Sequence, residues 1–335
     1  MKKLVAIILS IVSAFAVFAF SACGSKGDVN LKYYKTAPEL IAALESGEVN
    51  YGVLAEPAAT NLEKKTKDTK SWYRLDVQAL YDSETQSYPQ AVMLVKESVL
   101  NTYPQLVSSI QSKFADNASW VTANPASAVN AVNSVIAEGV TPSLKPAALS
   151  QKTVENCNIS WQSSSDAKTA VKSYLNSIIA IESISAVAPT DDLFYDGTAV
   201  GNFTADTINV YAPDGAPALA IAKFINDNET FGTGKTFGYH VVAADAIGAT
   251  VQKGTGDIVI LPVNAASKLY NKNTSDPYKL VSVVTHGNIY VMCAEEITEN
   301  DLTDKTVGVF NMGGVPDLTF RVVLDKLGYK IEIAD

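Results

Sequence analysis

An α/β fold is predicted by three features of this sequence. Strand-like runs alternate with helix-like runs over residues 31–99 and again from 208 to 335. A mostly helical block, 101–181, and a stretch rich in Gly, Pro, Asp, Thr and Ala, 186–206, stand between them. Once an export signal is set aside, roughly 310 residues remain, which suits one large or two medium domains.

The export signal is assigned to residues 1–22. Lys2 and Lys3 precede an uncharged apolar run, 4–20, and Ser21 and Ala22 lead to Cys23. A transmembrane anchor is the competing reading, but the run is short for a span. Residues 23–30 read as a tether, with Gly24, Ser25 and Gly27 giving it flexibility. The formal charge of −9 deepens by two when the signal, with its two lysines and no acid, is removed. An acidic balance argues against a nucleic-acid partner. Cys157 and Cys293 are too few for a disulfide framework, although a single bridge between them stays open, and they read best as small buried hydrophobes. His240 and His286 have no Cys or His at ligand spacing, so no metal is expected, and there is no Gly-rich phosphate loop.

Along the chain, 31–34 is a strand and 37–46 a helix with Leu40, Ile41 and Leu44 on one face, ended by Gly47. Residues 51–54 form a strand, and 57–65 a helix with proline in its first turn. Strands are predicted at 74–80 and 91–95. Helices follow at 103–120, where Leu106, Val107, Ile110 and Phe114 are suitably spaced, and at 126–137, 150–156 and 164–181. Within the last, 166–174 looks like an outer layer. Residues 186–206 are long for a connection and read as a linker. Strands then fall at 208–211, 240–243, 258–261, 280–284, 290–293, 307–310 and 330–334. Helices fall at 217–226, 246–253, 265–270 and 316–327.

Six stretches carry a family resemblance: "INVYAPDGAPALAIAKFI", "GDIVILPVNAASKLYN", "LVSVVTHGNIYVM", "LTDKTVGVFNMGGVPDLTFRVVLDKLG", "AALESGEVNYGVLAEPAAT" and "SYPQAVMLVKESVLNTYPQLV". Together they span most of the chain after the signal, and they resemble the substrate-binding lipoproteins of ABC importers, in the nitrate/sulfonate/taurine and thiamine-precursor group. The resemblance implies a two-lobed periplasmic-binding-protein-like fold of type II, with the ligand cleft between the lobes. The order departs from the family: the part from 208 to 335 comes first there, and the part from 31 to 196 second. The chain therefore looks circularly permuted. Joining Asp335 to Asp28 or Val29 would restore the family order, with 330–334 leading into 31–34 and 197–206 as the new bridge. On this view 71–297, including the linker 186–206, makes a larger lobe. Residues 31–70 plus 298–335 make a smaller, discontinuous one, expected to be the weakest part of the fold. The sequence before Cys23 resembles the bacterial lipobox, with Phe20 an unusual residue there. It implies lipidation of Cys23 and anchoring to the outer face of the bacterial cell membrane. The implied partners are a small-molecule solute and the permease and ATPase subunits of an importer; a monomer without cofactor is expected.

Four turns share one design, a strand followed by small residues with proline and then a helix: Pro213-Asp214-Gly215-Ala216-Pro217, Pro262-Val263-Asn264-Ala265, Gly313-Gly314-Val315-Pro316 and Ala55-Glu56-Pro57-Ala58. In an open parallel sheet such turns lie at the carboxyl ends of strands, where ligands bind. Small residues there let a ligand approach helix N-termini that favour anions, although Gly and Pro also serve tight turns alone. Asp214 and Glu56 are either helix caps or partners for an amine or ring N–H, which would suit a taurine-like zwitterion or an aminopyrimidine better than bare nitrate. His286 and Asn288 could bond a ligand or satisfy a loop. Tyr88, between Ser87 and Gln90 and the following strand, could stack on a ring or belong to the core or hinge. Three function classes follow. A solute-binding module and a sensing or structural lipoprotein both fit an exported chain. An enzyme fits less well: the pyrimidine-synthesising relatives of this family use a cysteine-rich iron motif that is lacking here, and no nucleophile–base arrangement can be assigned.

Overall fold

The computed structural model describes residues 26–85 and 87–334; the expected signal, Cys23 and the start of the tether lie outside the described residues. The strands are β1 (Asp28–Tyr34), β2 (Tyr51–Ala55), β3 (Tyr73–Asp76), β4 (Pro89–Lys96), β5 (Ile159–Ser163), β6 (Thr207–Pro213), β7 (Thr236–Val242), β8 (Ile258–Pro262), β9 (Tyr278–His286), β10 (Ile289–Cys293), β11 (Thr306–Phe310) and β12 (Lys330–Ile333). They form two six-stranded sheets, ordered β12-β1-β11-β2-β10-β3 and β5-β9-β4-β8-β6-β7. Central strands such as β4 and β9 are almost continuously buried, because helices cover both faces.

Each sheet organises one lobe, and the chain passes between them twice, after β3 and after β9. This moves the expected lobe boundaries. Residues 71–76 and 289–297 were expected in the larger lobe, but β3 and β10 lie in the first sheet, where β10 runs antiparallel between β2 and β3. The expected strand 74–80 ends at Asp76, whose carboxylate accepts the Ala79 N–H at 3.0 Å and starts the helix Val77–Tyr81. The expected junction also differs. β12 lies parallel beside β1, with Asp28 level with Lys330 and Leu31 level with Ile333. Residues 330–334 therefore cannot lead straight into 31–34. A link from Asp335 to Asp28 would have to run back along the strand, about 13 Å at ~3.3 Å per residue.

The core has three parts. The outer face of the first sheet packs on the helices Ala37–Ser46 and Ala58–Thr66 through Leu40, Leu44, Leu54 and Leu62. The first of these helices begins at Thr36, whose hydroxyl caps the Glu39 N–H, and ends at Gly47 with φ +77°. The outer face of the second sheet packs on Leu106–Ala123, Pro125–Ser134 and two short helices, Ala216–Leu219 and Ala222–Asn226, where one helix over 217–226 was expected. The largest part lies between the sheets and joins both. There Val171, Tyr174, Leu175 and Ile178 of the helix Ser164–Ile181 meet the helix Val315–Leu327, and the Tyr174 and Thr319 hydroxyls bond at 2.5 Å. The expected outer-layer segment 166–174 is thus central: Ala167, Val171 and Tyr174 are fully buried.

The stretch 186–206 is docked rather than loose. Leu193 is buried, the Tyr195 N–H donates to the Leu280 carbonyl at 3.0 Å, and the Phe203 N–H donates to Thr102 Oγ1 at 2.9 Å. It straps the second lobe. Among the described residues no helix is long and apolar enough to cross a membrane.

Phe320 is fully buried in the core shared by the two sheets. Phe320→Ala is expected to cost about 3–5 kcal/mol. Urea denaturation followed by tryptophan fluorescence and by circular dichroism should show one earlier transition. Two separated transitions would mean that the lobes do not depend on a common core.

Candidate functional site

The strand directions bring the ends of both sheets to one seam. β12, β1, β11 and β2 run parallel, so the turns after β2 and β11 leave the same edge. β6, β7 and β8 are parallel to each other, and β4 runs antiparallel to β8 and β9. The ends of β6 and β8 therefore lie with the start of β4 and the end of β9. Side chains cross the seam directly. Asn264 Nδ2 donates to the carbonyls of Ser185 at 3.2 Å and Gly313 at 3.4 Å. Gln90 Nε2 donates to Asn288 Oδ1 at 2.8 Å, and Asn156 Nδ2 to Glu56 Oε1 at 3.3 Å. The Glu56 N–H donates to the Asn288 carbonyl at 2.9 Å.

The residues singled out from sequence take different places. Glu56 has a fully buried side chain. It accepts the Thr60 N–H at 3.2 Å, as a cap would, and also bonds the Thr60 hydroxyl and pairs with Arg74 Nη1 at 2.5 Å. Arg74 is held in turn by Glu63 and lies 4.8 Å over the Tyr290 ring. Its guanidinium pKa is raised: burial opposes the charged form, but the hydrogen bonds and charges of Glu63 and Glu56 outweigh it. Asp214 accepts the Ser143 N–H at 2.6 Å through Oδ2, while its Oδ1 is buried without a partner. Gly215 beside it has φ +116°, a backbone that L side chains rarely adopt. Ala216 is buried and Ala265 is packed against the shared core.

On the first-lobe side, Gly313 has φ +76° and its N–H donates to Asp317 Oδ2 at 2.8 Å. Gly314 precedes the helix Val315–Leu327. Asp317 is buried and also accepts Tyr33 Oη at 2.8 Å; burial pushes its carboxyl pKa up. Asn288 is fully buried between Gln90 and the Cys157 carbonyl. Glu56, Asn264, Asn288 and Gly313 are thus brought together at the seam, and Asp214 lies on the second lobe beside Ser143.

Two expected site residues face elsewhere. His286 bonds its own neighbours, with Nδ1 2.9 Å from Ser160 Oγ and Nε2 3.2 Å from Gln162 Oε1. Burial pushes its pKa down to about 4. Tyr88 stacks on Tyr174 at 5.3 Å and meets the edge of Tyr81 at 5.4 Å; it belongs to the core and offers no open ring face to a solute. Arg74 and Asn156 were not anticipated, because an arginine in a short strand and an asparagine ending a helix look like ordinary surface residues in sequence.

A cavity of about 530 Å³ opens next to the seam. Thr60, Glu63, Lys64, Trp72, Arg74 and Tyr290 line it from the first lobe, and Ser150, Lys152, Thr153 and Asn156 from the second. None of the sequence-predicted residues lines it; Glu56 reaches it only through its bonds to Thr60, Arg74 and Asn156. Cys157 and Cys293 are buried and unbridged, and burial raises both thiol pKa values. Among the described residues no group of three or more His, Cys, Asp or Glu side chains is placed to hold a metal ion.

No protein-family model matches the chain. No curated protein matches it. Among solved structures, NikA from Brucella suis in complex with Fe(III)-EDTA aligns at a TM-score of 0.28 and 10% identity. The alignment covers 78% of this chain and 57% of NikA, so this chain spans little more than half of that protein. A likeness at that level bears on neither fold nor function.

Two outcomes follow from the site. Arg74→Met leaves the Glu56 carboxylate buried without its cation and is expected to lower stability by about 3–5 kcal/mol, with much of the loss recovered in the double variant Arg74→Met/Glu56→Met; a loss under ~1 kcal/mol in chemical denaturation would contradict this. His286 is held neutral, with a pKa of about 4 against an ordinary 6.5. Its contribution is complete above pH ~6.5 and is lost as the pH falls towards ~4, on the order of 2–3 kcal/mol. His286→Gln should flatten the stability profile across that window.

Proposed function

We propose that this chain is an extracytoplasmic solute-binding lipoprotein, anchored through lipidated Cys23, that closes two lobes on a small polar solute and delivers it to the permease and ATPase of an ABC importer. The observation that carries the reading is the pair of crossings between the sheets. They lie side by side: the Gly287 N–H of the second crossing donates to the Tyr88 carbonyl of the first at 3.0 Å. Two adjacent crossings form a hinge about which lobes can open and close. The approach is tight, since a Cβ on Gly287 would come within 2.5 Å of the Tyr88 ring. The strand ends of both lobes meet beside this hinge, where open α/β sheets bind ligands.

The sequence resemblance supplies the importer, the lipid anchor, the type II fold and the circular order; the two-sheet architecture is compatible with that fold. Among the solutes it implies, a taurine-like zwitterion or an aminopyrimidine suits a seam containing Asp214 better than nitrate does, whereas the Glu56 carboxylate is already taken up by Arg74 and Thr60. A permuted order would further require a connecting segment where β12 and β1 now lie in parallel.

The test is a thermal-shift screen with taurine, alkanesulfonates, nitrate, bicarbonate, aminopyrimidines and amino acids, followed by small-angle scattering on any hit. A bound solute at about 100 times its Kd should stabilise the native state by ~2.7 kcal/mol and contract the particle. A hit that leaves the scattering curve unchanged, or a screen with no hit, would sink the two-lobe closure reading.

A further inference from the structure

We propose that the cavity between the lobes is the solute site and that it takes a small aromatic acid, a ring carrying one carboxylate. This rests on the solute-binding reading and moves the site from the strand-end turns to the neighbouring cavity. The volume of about 530 Å³ falls within the range of small-molecule sites, roughly 300–1,000 Å³. Both lobes wall the cavity, and two contacts join the walls. Lys64 Nζ donates to the Ala147 carbonyl at 3.1 Å, and Asn156 Nδ2 to Glu56 Oε1 at 3.3 Å. A solute held there touches both lobes, as closure requires.

The charge on the wall favours an acid. Both oxygens of Glu63 accept from Arg74, and Glu56 pairs with the same guanidinium and accepts the Thr60 N–H. That triad carries one negative charge overall, and both carboxylates are spent within it. Lys64 and Lys152 add two positive charges, so the wall is net positive in a chain whose formal charge is −9. Lys152 is exposed and has no acidic partner among the described residues. A lysine without an ion pair on a cavity wall suits a carboxylate. The remaining polar groups do not oppose one. The Ser150 and Thr153 hydroxyls bond each other at 2.8 Å, Thr60 Oγ1 bonds Glu56 and Arg74, and Asn156 offers an uncharged amide.

Two rings supply the apolar part. Trp72 lines the first-lobe side and is held by its Nε1 on Thr66 Oγ1 at 2.9 Å. Lys70 Nζ lies 4.3 Å over the same ring and adds a further positive charge. Tyr290 reaches the cavity from β10, with Arg74 over its ring. Its hydroxyl bonds no described residue, and burial pushes its pKa up to about 12, so it stays a hydrogen-bond donor. Flat aromatic side chains beside cationic groups suit a planar solute with one charged end. The rings come from the first lobe and Lys152 from the second, so the two ends of such a solute are read by different lobes.

The test is calorimetric titration of the full-length chain with benzoate, acetate, benzyl alcohol and benzylamine. Benzoate is expected to bind. Acetate lacks the ring and benzyl alcohol the charge, so each should bind about tenfold more weakly or not at all. Benzylamine, with the opposite charge, should not bind. Lys152→Met should weaken benzoate about tenfold and leave any binding of benzyl alcohol unchanged, and Lys152→Arg should restore benzoate. Added salt should weaken benzoate more than benzyl alcohol. Trp72→Leu should weaken both ring probes alike. Melting curves show whether each variant folds; if Trp72→Leu does not, the comparison of benzoate with acetate decides for the ring. Preferential binding of benzylamine, or equal binding of acetate and benzoate, overturns the proposal while leaving solute binding intact. Benzoate binding that Lys152→Met does not change overturns it as well, since the site then lies elsewhere. Failure of all four probes overturns the aromatic-acid assignment, and the wider screen then decides separately whether the lobes bind any solute.

Discussion

Everything in the first lobe depends on strands from two distant segments alternating in one sheet. The order β12-β1-β11-β2-β10-β3 places each strand of 28–76 beside strands of 289–333. All five pairings join one segment to the other, and none joins two strands of the same segment. Neither segment can therefore build any part of this sheet alone. That interleaving spreads the contact between the two chain parts over the whole sheet. Long-range pairing of this kind carries a loop-closure cost before any contact repays it.

The second sheet supplies what the first cannot, a contiguous scaffold. Residues 89–286 contain all of its strands, and the helix Ser164–Ile181 extends its core towards the first lobe. The seam follows from this arrangement. Buried amides and carboxylates collect there because parallel strands end together and the two crossings meet there. Most of these groups are satisfied by one another: Glu56 by Arg74 and Thr60, Asn288 by Gln90, and Gly313 by Asp317 and Asn264.

Much of the fold was legible in the sequence. Helices with apolar spacing, such as Ala37–Ser46, ended by Gly47 as expected, and Val315–Leu327, fall within a residue of their predicted spans. The buried strands β4, β8 and β9 fall within a few residues of their apolar runs. β5 was missed because Ile159–Ser163 is short and half polar. The helix Ser164–Ile181 was placed outside because its serines and lysines hide a narrow buried stripe of Ala167, Val171, Tyr174 and Ile178. At the site, the turn chemistry located Glu56, Asn264 and Gly313 correctly at strand ends. It could not show that both nitrogens of His286 are taken by β5, a strand that had not been foreseen. Nor could it show Tyr88 inside a stack whose other members, Tyr81 and Tyr174, come from elements distant in sequence.

The interleaved sheet has a further consequence for the order of events during synthesis. β12 (Lys330–Ile333) pairs with β1 (Asp28–Tyr34) across nearly the whole described span. A growing chain can complete the second sheet once Tyr278–His286 has emerged, but β1, β2 and β3 must wait for partners made after it. For most of translation, three unpaired strands trail a domain that can already be folded, and unpaired strand edges are prone to association. The first sheet therefore stays incomplete on the ribosome until β12 has emerged.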